Sequence, residues 1–95
     1  AGVYEDAIAQ LSQVLKRQPS SFIAWYERGK ALYKVRRFEE AISDLKEAIV
    51  LKSDYEPAWT MQGMALAQLE RYAEAISSYD RAIALFPINY KGWYN

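Results

Sequence analysis

The 95-residue sequence has no cysteine and no histidine. The first absence excludes disulfides and thiolate metal sites and leaves the redox compartment open. The second removes the commonest general base, the usual pH switch and the commonest metal ligand. Charge of one sign is also missing, since 12 basic residues balance 12 acidic ones. A domain held to nucleic acid by bulk charge would show a basic excess, and so would a polybasic membrane anchor. Neither a nucleic acid nor a membrane is therefore an expected partner. No apolar run approaches the roughly 18 residues that span a bilayer, no signal peptide is recognisable, and no segment carries a strand signal. The sequence starts at Ala1 without a methionine, so it is expected to be a piece of a longer protein, with the cytoplasm the expected compartment.

What is present is a period. Residues 22–55 align without a gap on residues 56–89 at a spacing of 34, and 13 of the 34 paired positions are identical. The pairs include Trp25/Trp59, Gly29/Gly63, Leu32/Leu66, Ala41/Ala75, Ile42/Ile76 and Ala48/Ala82. A fixed period of this size marks an array in which each unit buries its face on the next. Within the unit, Phe22, Trp25, Tyr26, Gly29, Leu32 and Tyr33 recur at helical spacing, and Phe38, Ala41, Ile42, Leu45, Ala48 and Ile49 do so again. A two- or three-residue turn between them makes an antiparallel helix hairpin. Residues 56–89 repeat the plan, with Pro57 in the first turn of one helix and Pro87 closing the next. Residues 1–21 match the second helix of a unit, with Tyr4, Ala7, Ile8, Leu11, Val14 and Leu15 on one face and Pro19 after it. Residues 90–95 restart the pattern, Trp93 falling 34 after Trp59. The composition, 52% apolar and 25% charged, is that of an ordinary folded domain. The sequence predicts one all-α domain: a partial repeat at 1–21, full repeats at 22–55 and 56–89, and the start of another at 90–95.

The unit resembles the tetratricopeptide repeat, whose pattern is Trp-x2-Leu-Gly-x2-Tyr, then Ala-x3-Phe, then Ala and Pro. Here it reads Trp25-x2-Arg28-Gly29-x2-Leu32, Ala41-x3-Leu45 and Ala48, then Trp59-x2-Gln62-Gly63-x2-Leu66, Ala75-x3-Tyr79, Ala82 and Pro87. The opening segment supplies Ala7-x3-Leu11, Val14 and Pro19. Arg28 and Gln62 replace an apolar residue, Val14 replaces the late alanine, and Ser53 replaces the closing proline, which predicts a less rigid junction there. The resemblance implies a right-handed α-solenoid of antiparallel hairpins. The signature residues Trp25, Gly29, Leu32, Ala41, Ala48, Trp59, Gly63, Leu66, Ala75, Ala82 and Pro87 are then framework, with the tryptophans filling the contact to the preceding second helix.

A catalytic constellation is missing. Glu39, Glu40, Asp44 and Glu47 form an acidic run that reads as a solvated helix face. Met61 and Met64, without a thiolate or imidazole, read as packing rather than a metal site. No cofactor or metal is expected, and the chain is not expected to be an enzyme. The resemblance implies binding of a protein or peptide in a groove lined by the first helices. On residues 22–55 the groove positions are Ile23, Tyr26, Glu27, Lys30, Tyr33 and Lys34. On residues 56–89 they are Thr60, Met61, Met64, Ala67 and Gln68, followed by Lys91, Tyr94 and Asn95. Some members of the family clamp a C-terminal carboxylate. The places implied for that clamp hold Tyr26, Lys30, Met61, Lys91 and Asn95, of which only Lys91 suits it. Two alternatives accompany the groove. One is a head-to-tail homo-oligomer built through unprotected apolar ends, Tyr4, Ile8 and Leu11 at one and Trp93 and Tyr94 at the other. The other is a substrate-recruiting module of an enzyme whose catalytic part lies outside this chain.

Overall fold

The computed structural model describes residues 2–85, which form five helices: α1 (Val3–Arg17), α2 (Phe22–Lys34), α3 (Phe38–Leu51), α4 (Glu56–Gln68) and α5 (Tyr72–Leu85). Pro87, Lys91 and the segment 90–95 lie outside the described residues. Among those described there is no strand. Each helix packs on the next in the chain, and α2 also touches α4. The result is a row of hairpins.

Local chemistry sets the helix ends. Glu5 and Asp6 in the first turn of α1, and Lys16 and Arg17 in its last, both oppose the helix dipole. The Ser21 hydroxyl caps α2 by accepting from the Ala24 amide at 3.3 Å. Pro57 sits in the first turn of α4, where its missing N–H costs nothing. α2 and α4 end alike. Arg36 (φ 66°) and Glu70 (φ 60°), 34 residues apart, occupy the left-handed region. The Arg37 amide returns to the Leu32 carbonyl at 2.9 Å and the Arg36 amide to Tyr33 at 3.0 Å. Arg71 to Leu66 and Glu70 to Ala67 repeat those bonds at 2.9 and 3.0 Å. This is the Schellman closure, in which otherwise orphaned carbonyls are satisfied and the chain reverses within three residues.

Small residues let the helices approach. Ala41, Ala48, Ala58 and Ala65 are wholly buried, as is Leu45. One cluster joins α2, α3 and α4 through Tyr26, Leu45, Ala48 and Ala58, with Trp25, Ile49, Tyr55 and Met61 against it. A second joins α3, α4 and α5 through Ile42, Ala65, Leu66 and Ala75, with Tyr33, Phe38 and Tyr79 around it. A Cβ on Gly29 would lie 3.0 Å from Leu45 Cγ, and one on Gly63 2.7 Å from Tyr79 Cε1. Both glycines therefore mark the closest pass inside a hairpin.

Four sequence expectations change. Asp44 does not belong to a solvated face: it is 4% exposed. It lies three residues after Ala41 and four before Ala48, which is the buried register of α3. The tryptophans sit at the junctions but only half-buried, because each indole N–H must reach a carbonyl. Trp25 Nε1 donates to Pro19 O and Trp59 Nε1 to Ser53 O, both at 2.8 Å. The junction at Ser53 is therefore tied by the same bond as the one at Pro19, since the indole uses the carbonyl and not the ring. Val14 is exposed, unlike its counterpart Ala48, which is sandwiched between α2 and α4. No described helix takes the place beside Val14 that α2 takes beside Ala48.

The two ends of the row carry apolar side chains. Val3 and Tyr4 are exposed on α1. On α5, Ile76 is 59% and Ile83 64% exposed, whereas Ile42, the counterpart of Ile76, is 3% exposed beneath α4.

Candidate functional site

α2 and α4 lie side by side, each with one face in the core. On α4, Ala58, Gln62, Gly63, Ala65 and Leu66 are buried. Thr60, Met61, Met64, Ala67 and Gln68 run along the other side at three- and four-residue steps, all at least partly exposed. On α2 the corresponding stripe is Ile23, Tyr26, Glu27, Lys30, Tyr33 and Lys34. Ile23 and Lys34 are exposed, and Glu27, Lys30 and Tyr33 half-buried. These two stripes are the faces that the sequence assigns to a groove.

Tyr26 stands apart from this stripe. It is 9% exposed and belongs to the core cluster with Leu45, Ala48 and Ala58. Its ring meets Tyr55 edge-on at 5.2 Å, and Tyr55 meets Phe22 at 5.1 Å. Burial pushes the Tyr26 phenol above its ordinary value, with Tyr55, Glu27 and Glu56 adding to the effect. Tyr26 is thus a core residue beneath the α2 stripe rather than an exposed contact. Tyr33 likewise packs edge-on against Phe38 at 5.3 Å. Lys30 lies over the Tyr26 ring, its Nζ 5.9 Å from the centroid and 3.8 Å from Glu27 Oε1. Met61 packs against the cluster around Tyr26, so it joins the α2 and α4 walls. The Thr60 hydroxyl bonds to the Glu56 carboxylate. Lys91 is outside the described residues.

A concavity opens on the opposite side of α2. Residues 28 and 30 are 200° apart on a helix at 100° per residue, so Arg28 points away from the Lys30 stripe. A crevice of about 340 Å³ lies there between α1 and α3, lined by Ile8, Ser12, Arg28, Leu32, Arg37, Glu40, Ser43 and Asp44. The Arg28 guanidinium grips Asp44 with two parallel bonds, Nε to Oδ2 at 2.6 Å and Nη2 to Oδ1 at 2.9 Å. Its Nη1 donates to Ser12 Oγ at 3.2 Å, and that hydroxyl donates to Ile8 O at 2.7 Å. The bond to Asp44 raises the pKa of Arg28. Arg37 makes a parallel fork to Glu40, both bonds at 2.7 Å. Every charge in the crevice is already matched. The sequence carried a signal for the Arg28–Asp44 pair, since each stands where its helix buries an apolar or small residue. In the next unit Gln62 and Ser78 occupy the same places, both buried, and Gln62 Oε1 has no hydrogen-bond partner.

Among the described residues no helix is long and apolar enough to cross a membrane.

Comparison with known proteins places the geometry. A tetratricopeptide repeat model matches residues 1–57, and a second model of that repeat matches residues 57–89. The chain is similar to the second TPR of Spaghetti (RPAP3), solved bound to the HSP90 peptide SRMEEVD. The TM-score is 0.86 at 27% identity, over 88% of this chain and 78% of that one. It is similar to the TPR2B-domain:pHsp70 complex of yeast Sti1, with a TM-score of 0.84 at 27% identity, covering 86% and 66% of the two chains. It is also similar to the crystal structure of MamA, with a TM-score of 0.88 at 28% identity, covering 90% of this chain but only 50% of that one. No curated protein sequence matches the chain significantly.

Proposed function

Because the chain belongs to the tetratricopeptide repeat family, we propose that it is a non-catalytic interaction scaffold whose α2–α4 groove holds an extended peptide or a partner helix. The observation that carries this reading is the pair of matching stripes on α2 and α4. They are half-exposed, run along adjacent helices, and are rich in thioether and lysine, whereas the charges of the crevice between α1 and α3 are used internally. The RPAP3 relative, solved bound to an HSP90 peptide, and the Sti1 relative, solved as a pHsp70 complex, support it. The test is a screen of the chain against an array of peptides, repeated with Lys34→Glu and Met64→Glu variants whose helicity is checked by circular dichroism. The groove reading expects each folded variant to lose partners that the parent chain binds. Unchanged binding by both variants would place the interaction elsewhere.

A second reading has its own observation. The apolar stripe Tyr72, Ile76 and Ile83 on α5, and Val3 and Tyr4 on α1, lie at opposite ends of the row. Head-to-tail stacking of chains would cover both and extend the solenoid. Sedimentation across a hundredfold range of concentration tests this; a monomer throughout sinks it.

A further inference from the structure

The two walls of the groove differ in chemistry. The α4 wall, Thr60, Met61, Met64, Ala67 and Gln68, bears no charge. Met61 is partly seated against the core cluster, and Met64 stands one turn on, half-buried. Thioethers are unbranched and polarisable, and they fit themselves to many apolar shapes. The α2 wall carries Glu27, Lys30 and Lys34, a net single positive charge. Lys30 is held by Glu27 and the Tyr26 ring. Lys34 is exposed and, among the described residues, has no carboxylate within ion-pair distance.

Building on the groove reading above, we propose that the occupant is an internal peptide segment that sets an apolar side chain against Met61 and Met64 and a carboxylate side chain against Lys34. Binding then does not depend on a free C-terminal carboxylate. A terminal carboxylate carries its charge on the backbone and needs several converging donors when it is bound. Among the described groove residues methionine offers none, Lys30 is engaged, and Lys34 is the one lysine left, enough for one acidic side chain. Charge complementarity therefore favours an apolar-plus-acidic segment. Its spacing follows from geometry. Met64 corresponds to Lys30 at the 34-residue shift, and Lys34 is one turn further along. Adjacent helices lie about 8–10 Å apart. An extended peptide advances about 3.3 Å per residue, so the two side chains should be about three residues apart.

The test uses the whole chain and random 12-residue peptides displayed on phage in two formats, one with a free C-terminus and one with both ends embedded. Both formats should enrich sequences with an apolar residue about three positions from Asp or Glu. A synthetic winner should bind equally as its acid and its C-terminal amide. Lys34→Gln should weaken it about tenfold, as for loss of a central charged contact, and should not further weaken a peptide whose acidic residue is already Gln. Met64→Ala should weaken it too, and the exposed Lys34 variant keeps the test decisive if Met64→Ala fails to fold. Enrichment only with a free C-terminus, or binding lost on amidation, overturns this inference and leaves the groove reading intact. No enrichment in either format, or winners indifferent to both substitutions, overturns both.

Discussion

At the scale of single residues, Arg28 and Asp44 test how buried charge is tolerated here. Arg28→Ala strands a carboxylate that is 4% exposed. Breaking a buried pair costs about 3–5 kcal/mol. The Arg28 side chain is 22% exposed, so solvent screening puts the expected loss near the lower figure, read from urea melts. The second unit supplies its own control. Arg28→Gln with Asp44→Ser reproduces the Gln62 and Ser78 pair, and the double variant should recover most of that loss. Tyr26 gives a pH prediction. Its phenol is raised by burial, while the unfolded phenol ionises near pH ~10. Above that pH the folded state holds more protons than the unfolded one, so stability falls as pH rises. Urea midpoints between neutral and strongly alkaline pH should fall less steeply for Tyr26→Phe. If the two chains run parallel, the phenol does not ionise differently in the folded state.

At the scale of elements, the reversals after α2 and α4 rest on left-handed residues that are not glycine. Arg36 and Glu70 pay for that conformation by about 1–2 kcal/mol each. Glycine removes this strain but loses about 0.5–1 kcal/mol in chain entropy. Arg36→Gly and Glu70→Gly should each stabilise by about 0.5–1 kcal/mol, visible as a rise of a few degrees in Tm. The sequence made the hairpins legible because apolar spacing and the period both report burial. α3 and α5 run Phe38–Leu51 and Tyr72–Leu85, close to the apolar stripes. It did not make the left-handed reversals legible, because neither Gly nor Asn stands there. Asp44 was misread for a related reason: charge outweighed register, although positions 41, 44, 45 and 48 form one face. In the groove, the stripes were legible from helical spacing. That Tyr26 sinks into the core was not, since it depends on Tyr55 at the end of its own repeat and on Ala58 from the next.

At the scale of the molecule, identical residues stand in unequal places. Ile42 and Ile76 share a repeat position, but one lies beneath α4 and the other is largely exposed. Ile42→Ala should cost about 2–5 kcal/mol, whereas Ile76→Ala should change stability by less than about 0.5 kcal/mol. If Ile76→Ala costs as much as Ile42→Ala, or costs more as concentration rises, something covers α5 in solution. Because repeat energies add between neighbours, the two substitutions also weigh an inner junction against an end face. The indole-to-carbonyl bonds of Trp25 and Trp59 provide a way to watch those junctions. Each ring is bonded at Nε1 to the carbonyl six residues before it, and each has a guanidinium carbon above it, Arg28 at 5.1 Å and Arg81 at 5.3 Å. The two fluorophores therefore make the same two kinds of contact while belonging to different hairpins, with Arg28 reaching its ring from α2 itself and Arg81 from α5. Chains in which Trp93 and one of the two are replaced by Phe emit tryptophan fluorescence from a single junction. Comparing their relaxation after a temperature jump would time the opening of each hairpin separately, with no label added.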